Sequence, residues 1–530
     1  MTSEHHPPDP DGWLKGCAPA DPARPRGAQT GSTLEHLHSR PSLFIDGKWT
    51  TGSGGSSEVI NPVDASVVAT VDQAGPADVD AAVEAARTAF DDPRGWRSTT
   101  TAERAAVLRR IADLLQRDKE NLSYVETLDT GKTLPESRID VDDVTAVFRY
   151  YADLIATAGG RIVDTGLPHV VSRITHEPVG VCALITPWNY PLLQLSWKLA
   201  PALAAGCTCV VKPSEVTPLT SVLLIRLAEE AGVPAGVVNL LLGTGPAVGA
   251  PLTEHPDVDM VSFTGGLVTG QAIIRASAAT VKRVAVELGG KNPNIVFADS
   301  DFGTAVDNAL TAVFLHSGQV CSAGARLIVE DSIADRFVRE LAVRADAIRV
   351  GDGLDPASQT GPLVSAAHRA KIEDFVTSAV ADGAILRAGG CRPDEAELAN
   401  GFFYRPTVLD RCHRTMRVVR EETFGPILTV ERFRTEDEAV TLGNDTTYGL
   451  AGAVWSADTA RAHRVAAALR HGTVWINDFG PYVPGAEWGG MKRSGNGREL
   501  GPTGLTEYQE HKHTWHNTAP TPAGWFRKNP

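Results

Sequence analysis

The sequence of 530 residues has few cysteines, no long hydrophobic run and no excess of basic residues. Its seven cysteines are scattered and odd in number, which argues against a disulfide framework and favours a reducing compartment. Apolar stretches such as VVNLLLG end after a few residues, so no transmembrane helix is predicted. Lysine and arginine total 50 against 64 acidic residues, and the net charge of −14 argues against nucleic acid or an anionic membrane as partner.

The N-terminal region lacks the features of an ordered segment. Residues 1–40 are rich in proline, glycine, aspartate and histidine and show no hydrophobic periodicity, so we expect a disordered extension. The first residues contain neither a basic leader nor an apolar core, so no secretory signal is predicted. Together with the cysteine usage, this predicts a cytoplasmic protein. The histidines have no metal-ligand spacing, and no metal site is predicted.

What the chain does have is a large hydrophobic content, 42%, and a repeating strand–helix pattern, which at this length predicts more than one domain. In ADVDAAVEAARTAF and TTAERAAVLRRIADLLQRD the apolar residues recur at helical spacing, and Thr100 with Glu103 has the form of a capping box. From Gly180 onward, apolar strands such as GVCALITPW and TCVVKP alternate with helices. A second such series begins near NPNIVFADSD. The pattern predicts an α/β protein with two α/β domains and parallel sheets covered on both faces.

Two stretches that resemble nucleotide-binding motifs fail on spacing. DTGKT at 129–133 has the end of a phosphate-binding loop, but Glu126 stands where that loop needs its first glycine. GTGPAVG at 243–249 is one residue too long for the dinucleotide fingerprint.

Three other stretches together carry residues suited to carbonyl chemistry. VELGGKNP places Glu287 at a strand end, FLHSGQVCSAGAR places Cys321 on a turn of small residues, and TPWNYP places Asn189 after an apolar strand. A thiol can add to a carbonyl carbon, an amide can hold the resulting oxyanion, and a carboxylate can activate water. Each alone also has a structural interpretation: a buried thiol, a strand-end ion pair and a turn residue before Pro191.

These residues and their surroundings resemble the NAD(P)-dependent aldehyde dehydrogenase superfamily from about Leu43 to residue 515. The matching segments are ITPWNYPLLQLSWKLAPALAAGC, VVKPSEVTPLT, VSFTGG, VELGGKNPNIVFADSD, GQVCSAGAR, EETFGPI and EWGGMKRSGNGRELG. The resemblance implies the aldehyde dehydrogenase fold, with a Rossmann-like cofactor domain, a catalytic domain and a small oligomerisation element. The expected boundaries are 41–159 with 179–289 for NAD binding, 290–493 for catalysis, and 160–178 with 506–520 for assembly into a homodimer or homotetramer.

The resemblance also implies roles for individual residues. Cys321 would attack the aldehyde, Asn189 would hold the oxyanion, and Glu287 would activate the water that hydrolyses the thioester. Lys198 would place a positive charge in the pocket, and Glu499 would relay protons to solvent. A catalytically silent relative is the alternative from another class, against which the intact Cys321, Glu287 and Asn189 argue.

The resemblance places Glu215 at the adenosine ribose, where a carboxylate would accept from the hydroxyls and repel a 2′-phosphate, so NAD is the expected cofactor. It also places Trp188 near the adenine, and Glu422 with Phe424 at the nicotinamide ribose. Gly266 stands where the family often has serine, so a hydroxyl contact to the pyrophosphate would be missing. The full set expected to bind the cofactor is Trp188, Lys212, Ser214, Glu215, Gly245, Gly265, Gly266, Leu288, Glu422 and Phe424.

Four aromatic residues are expected around the aldehyde: Tyr190, Trp197, Tyr482 and Trp488. Tyr190 and Trp197 lie seven residues apart at the head of a predicted helix, so we expect them to point the same way. Such rings suit a trimethylammonium group through cation–π attraction. The FTGG variant resembles that of the betaine aldehyde subgroup of the family, and the two features together favour betaine aldehyde as substrate. Alternatively, they form an apolar wall for aminoaldehydes or general aldehydes. Glu487 would either add negative charge near a cationic substrate or face solvent.

Overall fold

The computed structural model describes residues 42–526, so the predicted disordered extension at 1–40 lies outside the described residues. Within that range there are fifteen α-helices: α1 Pro76–Asp91, α2 Thr101–Arg117, α3 Lys119–Thr130, α4 Leu134–Thr157, α5 Pro191–Ala205, α6 Leu219–Glu230, α7 Ala250–Glu254, α8 Leu267–Ser277, α9 Phe302–Phe314, α10 Asp331–Asp346, α11 Ala366–Ala381, α12 Arg417–Arg420, α13 Glu436–Asn444, α14 Thr459–Ala468 and α15 Gly501–Thr506. None of the helices in residues 42–526 combines the length and the apolar composition that a bilayer requires.

The strands of the described chain form four sheets. They are β1 Leu43–Ile45, β2 Lys48–Thr50, β3 Ser56–Ile60, β4 Val67–Asp72, β5 Arg161–Val163, β6 Val170–Pro178, β7 Val181–Ile185, β8 Thr208–Lys212, β9 Val238–Leu240, β10 Met260–Gly265, β11 Arg283–Leu288, β12 Pro293–Val296, β13 Arg326–Glu330, β14 Ile385–Ala388, β15 Thr407–Asp410, β16 Ile427–Phe433, β17 Ala451–Trp455, β18 Thr473–Ile476, β19 Gly495–Asn496 and β20 Gln509–Asn517.

The first sheet has eight strands in the order β19-β11-β10-β7-β8-β9-β1-β2. Its five central strands, β11 to β9, run parallel, as the uninterrupted apolar runs predicted. β1 and β2 form a short hairpin, whose turn at Asp46 and Gly47 has positive φ at both residues. The ligand-binding edge of such a sheet is the carboxyl end of its parallel strands.

The second sheet has seven strands in the order β14-β15-β16-β13-β12-β17-β18, parallel except for β14. A third sheet, β20-β6-β5, is antiparallel, and its β6 and β20 pair over nine residues each. The fourth sheet is the β3-β4 hairpin. The predicted α/β class with two parallel sheets is therefore confirmed, while the domain boundaries remain a prediction.

Helix α5 positions one side of the candidate site. All of its residues are buried, because it packs under the first sheet against α4 and α2. It begins at Pro191, whose fixed φ suits the first helical position, and it ends at Gly206, which adopts φ 97°. The residues just before its N-terminus, Trp188 to Tyr190, are thereby placed beside the carboxyl end of β7.

Helices α3 and α4 were not assigned from the sequence. The DTGKT stretch that failed as a phosphate loop is the connection between them: Gly131, at φ 79°, ends α3, and Thr133 with Glu136 forms a capping box for α4. Lys132 between them is fully buried and is paired with Glu126 and Asp140.

Candidate active site

A cavity of about 800 Å³ opens at the carboxyl ends of β7, β10 and β11. Cys321, Asn189 and Glu287 all line it, so the structure brings the three predicted catalytic residues together. Glu287 is the penultimate residue of β11, as predicted, and Asn189 follows β7 by four residues. The same cavity is lined by residues expected to bind the cofactor: Trp188, Lys212, Ser214, Glu215, Gly245, Gly265, Gly266, Leu288, Glu422 and Phe424.

Cys321 lies on an irregular loop between α9 and β13 that side-chain hydrogen bonds hold in place. The Asn292 amide donates to the Cys321 carbonyl at 2.9 Å and to the Ala323 carbonyl at 3.0 Å. Burial raises the pKa of the Cys321 thiol to about 12, and the nearby carboxylates of Glu422 and Glu287 act in the same direction. Without a ligand, the thiol is therefore protonated at neutral pH.

The Asn189 side chain is oriented by the loop that carries the thiol. Its Nδ2 donates to the Gln319 carbonyl at 2.8 Å, two residues before Cys321. An amide nitrogen has two N–H bonds, so the second remains for another acceptor. Asn189 is buried yet lines the cavity, which suits a neutral donor to a developing oxyanion.

Glu287 lies in a buried group of charges with Lys198 and Glu499. Neither Glu287 oxygen has a hydrogen-bond partner among the described residues. Burial, with the negative charge of Glu499, raises the pKa of Glu287 well above its usual value, while Lys198 opposes this shift. Lys198 is fully buried, forms an ion pair with Glu499, and donates to Thr264 Oγ1 at 2.7 Å. A buried carboxyl without hydrogen bonds is suited to exchanging a proton.

The far part of the cavity contains polar groups that could hold a dinucleotide. Lys212 Nζ donates to the Pro213 carbonyl at 2.8 Å and to Glu215 at 3.3 Å, and Glu215 is partly exposed. Gly266 is the N-cap of α8, and an added Cβ there would meet nothing within 4 Å. The glycine thus leaves open space and a free helix N-terminus beside the cavity, where backbone N–H groups favour an anion.

Glu422 lies at the catalytic end of the cavity. Its Oε1 accepts from the Gly290 amide at 3.1 Å, and a Cβ added at Gly289 would lie 2.0 Å from its carboxylate. Gly289 is therefore required for this close approach. Burial raises the pKa of Glu422 to about 7.

Sequence reasoning missed two cavity residues on α11, His368 and Lys371. The ring of His368 packs against Trp188 at 5.4 Å, and its Nε2 lies 2.7 Å from the Phe424 carbonyl. Trp188 also packs on the Phe424 ring at 5.2 Å. Trp188 therefore contacts Phe424, which is expected at the nicotinamide ribose. The expected place of Trp188 near the adenine remains a prediction. No motif in the α11 sequence signals a site.

Three of the four predicted substrate aromatics meet in one cluster. The Trp197 ring lies 5.3 Å from Tyr482 and 5.9 Å from Trp488, and Tyr482 lies 6.0 Å from Trp488. Trp475, which the sequence analysis did not assign, joins the cluster at 6.2 Å from Trp488. The Tyr482 hydroxyl donates to Asp143 Oδ2 at 2.6 Å, which adds a partly buried carboxylate behind that ring.

Tyr190 has different neighbours. Its ring packs edge-on against His316 at 5.4 Å, and the ammonium of Lys132 lies 4.1 Å from the ring centre. Helix α5 begins at Pro191, and Tyr190 is its non-helical N-cap, so the rule of helical spacing does not apply to Tyr190. A role for Tyr190 in substrate binding remains a prediction.

Glu487 is exposed and acts at the start of α15. Its Oε1 accepts from the Thr503 hydroxyl at 3.0 Å. A hydrogen bond from its own backbone amide, together with those from Thr503, lowers the pKa of Glu487. Glu487 was expected either to add negative charge near a cationic substrate or to face solvent, and this geometry fits the second expectation.

The comparisons with known proteins agree with this architecture. Residues 49–514 match the model of the aldehyde dehydrogenase family, and the chain belongs to that family. Among individual proteins, it is 55% identical over 486 residues to the betaine aldehyde dehydrogenase of Bacillus subtilis, covering 92% of this chain and 99% of that protein. It is 43% identical over 491 residues to the peroxisomal aminoaldehyde dehydrogenase 2 of Pisum sativum, covering 92% and 97%.

A solved structure gives the same result. The crystal structure of betaine aldehyde dehydrogenase from Staphylococcus aureus in complex with NAD⁺ superposes with a TM-score of 0.92 at 49% identity. The match covers 95% of this chain and 99% of that chain. The predicted fold, the aldehyde dehydrogenase fold, is therefore confirmed.

Proposed function

We propose that this protein oxidises betaine aldehyde to glycine betaine with NAD⁺ as hydride acceptor. The observation that carries the proposal is that Cys321, Asn189 and Glu287 line one cavity. The rings of Trp197, Tyr482, Trp488 and Trp475 form a cluster of their own outside the lining of that cavity, and this cluster supports a cationic substrate. The names of the Bacillus and Staphylococcus relatives support the substrate, and the NAD⁺ in the solved structure supports the cofactor.

The first covalent step falls to Cys321. Its thiolate adds to the carbonyl carbon, a C–S bond forms, and the carbonyl electron pair becomes an alkoxide. The free N–H of the Asn189 amide donates to that oxygen, and the Cys321 backbone N–H is a second donor. A cysteine suits this step because sulfur is both a strong nucleophile and, later, a good leaving group.

The cavity residues fit NAD⁺. The open helix N-terminus at Gly266 suits a pyrophosphate, and the Lys212–Glu215 pair and the Glu422 carboxylate suit the hydroxyls of two riboses. When bound, NAD⁺ supplies the acceptor for the hydride that leaves the thiohemiacetal carbon and converts it into a thioester. Because Glu215 is a carboxylate, it repels a 2′-phosphate and favours NAD⁺ over NADP⁺.

Hydrolysis of the thioester falls to Glu287. As a carboxylate, it takes a proton from water, the hydroxide adds to the thioester carbon, the C–S bond breaks, and the thiolate of Cys321 returns. Glu287 must then lose that proton. Glu499 and Lys198 lie in the same buried charged group, and they provide the route along which it leaves.

A second candidate substrate is an ω-aminoaldehyde. The observation that favours it is Asp143, whose carboxylate lies behind the Tyr482 ring and would attract a primary ammonium group. The name of the pea relative supports this alternative. Both candidates are cationic aldehydes, so both use the same aromatic and acidic groups.

We also infer that the chain forms a homodimer or homotetramer and is cytoplasmic. The assembly is supported by the third sheet, whose strands β5 and β20 each have one edge that pairs with no other strand of residues 42–526. The location is supported by the six described cysteines, all free thiols, as expected in a reducing compartment.

The test is an initial-rate assay of NADH formation with betaine aldehyde, 4-aminobutanal, hexanal and 3,3-dimethylbutanal. The last compound has the shape of betaine aldehyde without its charge. We expect the highest kcat/KM for betaine aldehyde, and no activity in Cys321→Ala, which should still bind NAD⁺. A higher value for 4-aminobutanal would select the second candidate, and an inactive wild type would overturn the proposal.

A further inference from the structure

The turn that precedes Cys321 has a left-handed backbone. His316 adopts φ 46° and ψ 37°, Ser317 adopts φ 51° and ψ 33°, and Gly318 adopts φ 71°. Two successive non-glycine residues in this region are costly, because Cβ crowds the following carbonyl group. Such a conformation persists only where surrounding contacts impose it.

Two side chains and one backbone carbonyl from distant parts of the chain impose it. The His316 amide donates to Glu136 Oε1 at 2.7 Å, the Ser317 amide donates to Thr360 Oγ1 at 3.0 Å, and the Ser317 hydroxyl donates to the Gly361 carbonyl at 2.5 Å. Of these contacts, the one from Glu136 is the only one made by a carboxylate, and hydrogen bonds to a charged acceptor are the stronger class.

The other oxygen of Glu136 fixes the start of α4. Oε2 accepts from the Thr133 amide at 2.8 Å and from its hydroxyl at 2.7 Å, which is the capping-box arrangement. One buried carboxylate therefore ties the N-terminus of α4 to the left-handed turn, 180 residues later in the chain.

The left-handed turn also determines how Cys321 and Asn189 are placed relative to each other. Gln319 follows Gly318, and its backbone carbonyl accepts a hydrogen bond from the Asn189 side-chain amide at 2.8 Å. The Gln319 side-chain oxygen accepts from the Val364 backbone amide at 2.8 Å. Cys321 follows two residues later. A shift of His316 and Ser317 would therefore move the thiol and the oxyanion donor relative to each other.

We propose that Glu136 is a positioning residue for Cys321 and Asn189, acting through the left-handed turn at His316 and Ser317. The proposal rests on the function proposed above, in which Cys321 is the nucleophile. Glu136 does not line the cavity described above, so its effect is on the placement of the thiol and not on the binding of cofactor. Small displacements of a reacting group lower the rate of its reaction steeply.

The chain contains a matched control. Thr100 and Glu103 form the same capping box at the start of α2, with Glu103 Oε2 accepting from the Thr100 amide at 2.7 Å and its hydroxyl at 2.8 Å. Within residues 42–526 the Glu103 carboxylate accepts no further hydrogen bond from another element, and it is far from the site in sequence. Glu103→Gln thus removes the same capping carboxylate from an exposed helix start without touching the turn.

The experiment compares Glu136→Gln and Glu103→Gln in the full-length protein. We measure kcat and KM for NAD⁺ and for betaine aldehyde, the thermal midpoint, and the rate of alkylation of Cys321 by iodoacetamide, followed on its peptide by mass spectrometry. The exposed Cys391 is the internal reference for that rate. We expect Glu136→Gln to change kcat and the Cys321 alkylation rate by tenfold or more, with KM for NAD⁺ within threefold and Cys391 unaffected.

Glu103→Gln should lower only the thermal midpoint. Unchanged kcat and alkylation in folded Glu136→Gln, or equal changes in both variants, would overturn the proposal. If Glu136→Gln does not fold, Glu136→Asp replaces it, since it keeps the charge and the cap but is too short to reach His316 as well. A wild type that is inactive on every aldehyde would contradict the proposed function. Because alkylation of Cys321 needs no substrate, the alkylation result would still decide the role of Glu136.

Discussion

At the scale of single residues, the site combines a buried thiol with a buried carboxyl group. Burial keeps the pKa of Cys321 at about 12, and it raises that of Glu287 well above its usual range. Both shifts favour the protonated form of the group. A positive charge in the cavity, such as the one that the nicotinamide ring of NAD⁺ carries, would favour the Cys321 thiolate.

This predicts the pH dependence of Cys321 alkylation in the ligand-free enzyme. Because only the thiolate reacts and its pKa is about 12, the rate should rise about tenfold per pH unit from pH 7 to pH 9.5 without levelling off. Saturating NAD⁺ should accelerate the reaction at pH 7. A rate that levels off below pH 9 would show that the thiol ionises more easily than its burial indicates.

Replacement of Glu287 separates the two halves of the reaction. Glu287→Gln keeps the shape of the side chain but cannot accept a proton, so acylation should proceed and hydrolysis should slow by two to three orders of magnitude. We expect one equivalent of NADH in a rapid burst, followed by slow turnover, with an acyl adduct on Cys321 by intact mass. If the burst disappears, Glu287 is needed before the thioester forms.

At the scale of secondary-structure elements, the sequence predicted what depends on regular patterns. The apolar runs of β7, β8 and β10 gave the parallel sheet, and the ends of β7 and β11 gave Asn189 and Glu287. These predictions succeed because strand order in such sheets fixes which edge holds the ligand.

Contacts between segments distant in the chain were not predictable in the same way. His368 and Lys371 enter the cavity from a helix whose sequence has no distinctive pattern, and Trp475 joins the aromatic cluster only through tertiary packing. Tyr190 lies outside the helix that begins at Pro191, so its side-chain direction depends on tertiary packing that helical spacing does not describe.

The aromatic cluster formed by β18, α5 and the loop before α15 yields a prediction on substrate choice. Trp488→Ala removes a ring that packs on Trp197, Tyr482 and Trp475. If these rings bind a cationic head group, each contributes on the order of 1–2 kcal/mol, so KM for betaine aldehyde should rise about tenfold. KM for 3,3-dimethylbutanal should change less than threefold. Equal losses for both aldehydes would mean that the rings provide apolar surface alone.

At the scale of the whole molecule, buried histidine links stability to pH. Neither ring nitrogen of His471 has a partner among the described residues, and burial lowers its pKa from 6.5 to about 3. The unfolded chain therefore binds a proton between these pH values that the folded chain does not. The contribution of the neutral His471 to the free energy of unfolding is fully present above about pH 6.5 and declines as the pH falls towards 3.

We therefore expect His471→Leu to flatten the acid side of the stability profile. Between pH 7.5 and pH 5 the wild type should lose about 2 kcal/mol more of its unfolding free energy than the variant, by denaturant titration at each pH. The exposed His413, replaced by Leu, is the control and should leave the slope unchanged. Parallel profiles for the wild type and His471→Leu would contradict a neutral, buried imidazole.

The last prediction concerns assembly. The β20-β6-β5 sheet has two open edges, and large apolar side chains project from it into solvent: Ile162 on β5 is 79% exposed and Trp515 on β20 is 53% exposed. An edge strand with unpaired backbone groups and exposed apolar residues invites pairing with another chain, and a second copy of this chain presents the same surface.

Sedimentation equilibrium at micromolar concentration should therefore give two or four times the chain mass of 56.3 kDa. Trp515→Lys places a charge in the contact and should shift the protein towards the monomer without loss of far-UV circular dichroism. Val343→Lys is the matched control, because Val343 is also exposed but lies on α10 beside the second sheet. A monomeric wild type, or a Trp515→Lys variant that assembles as the wild type does, would leave the third sheet without a role in self-association.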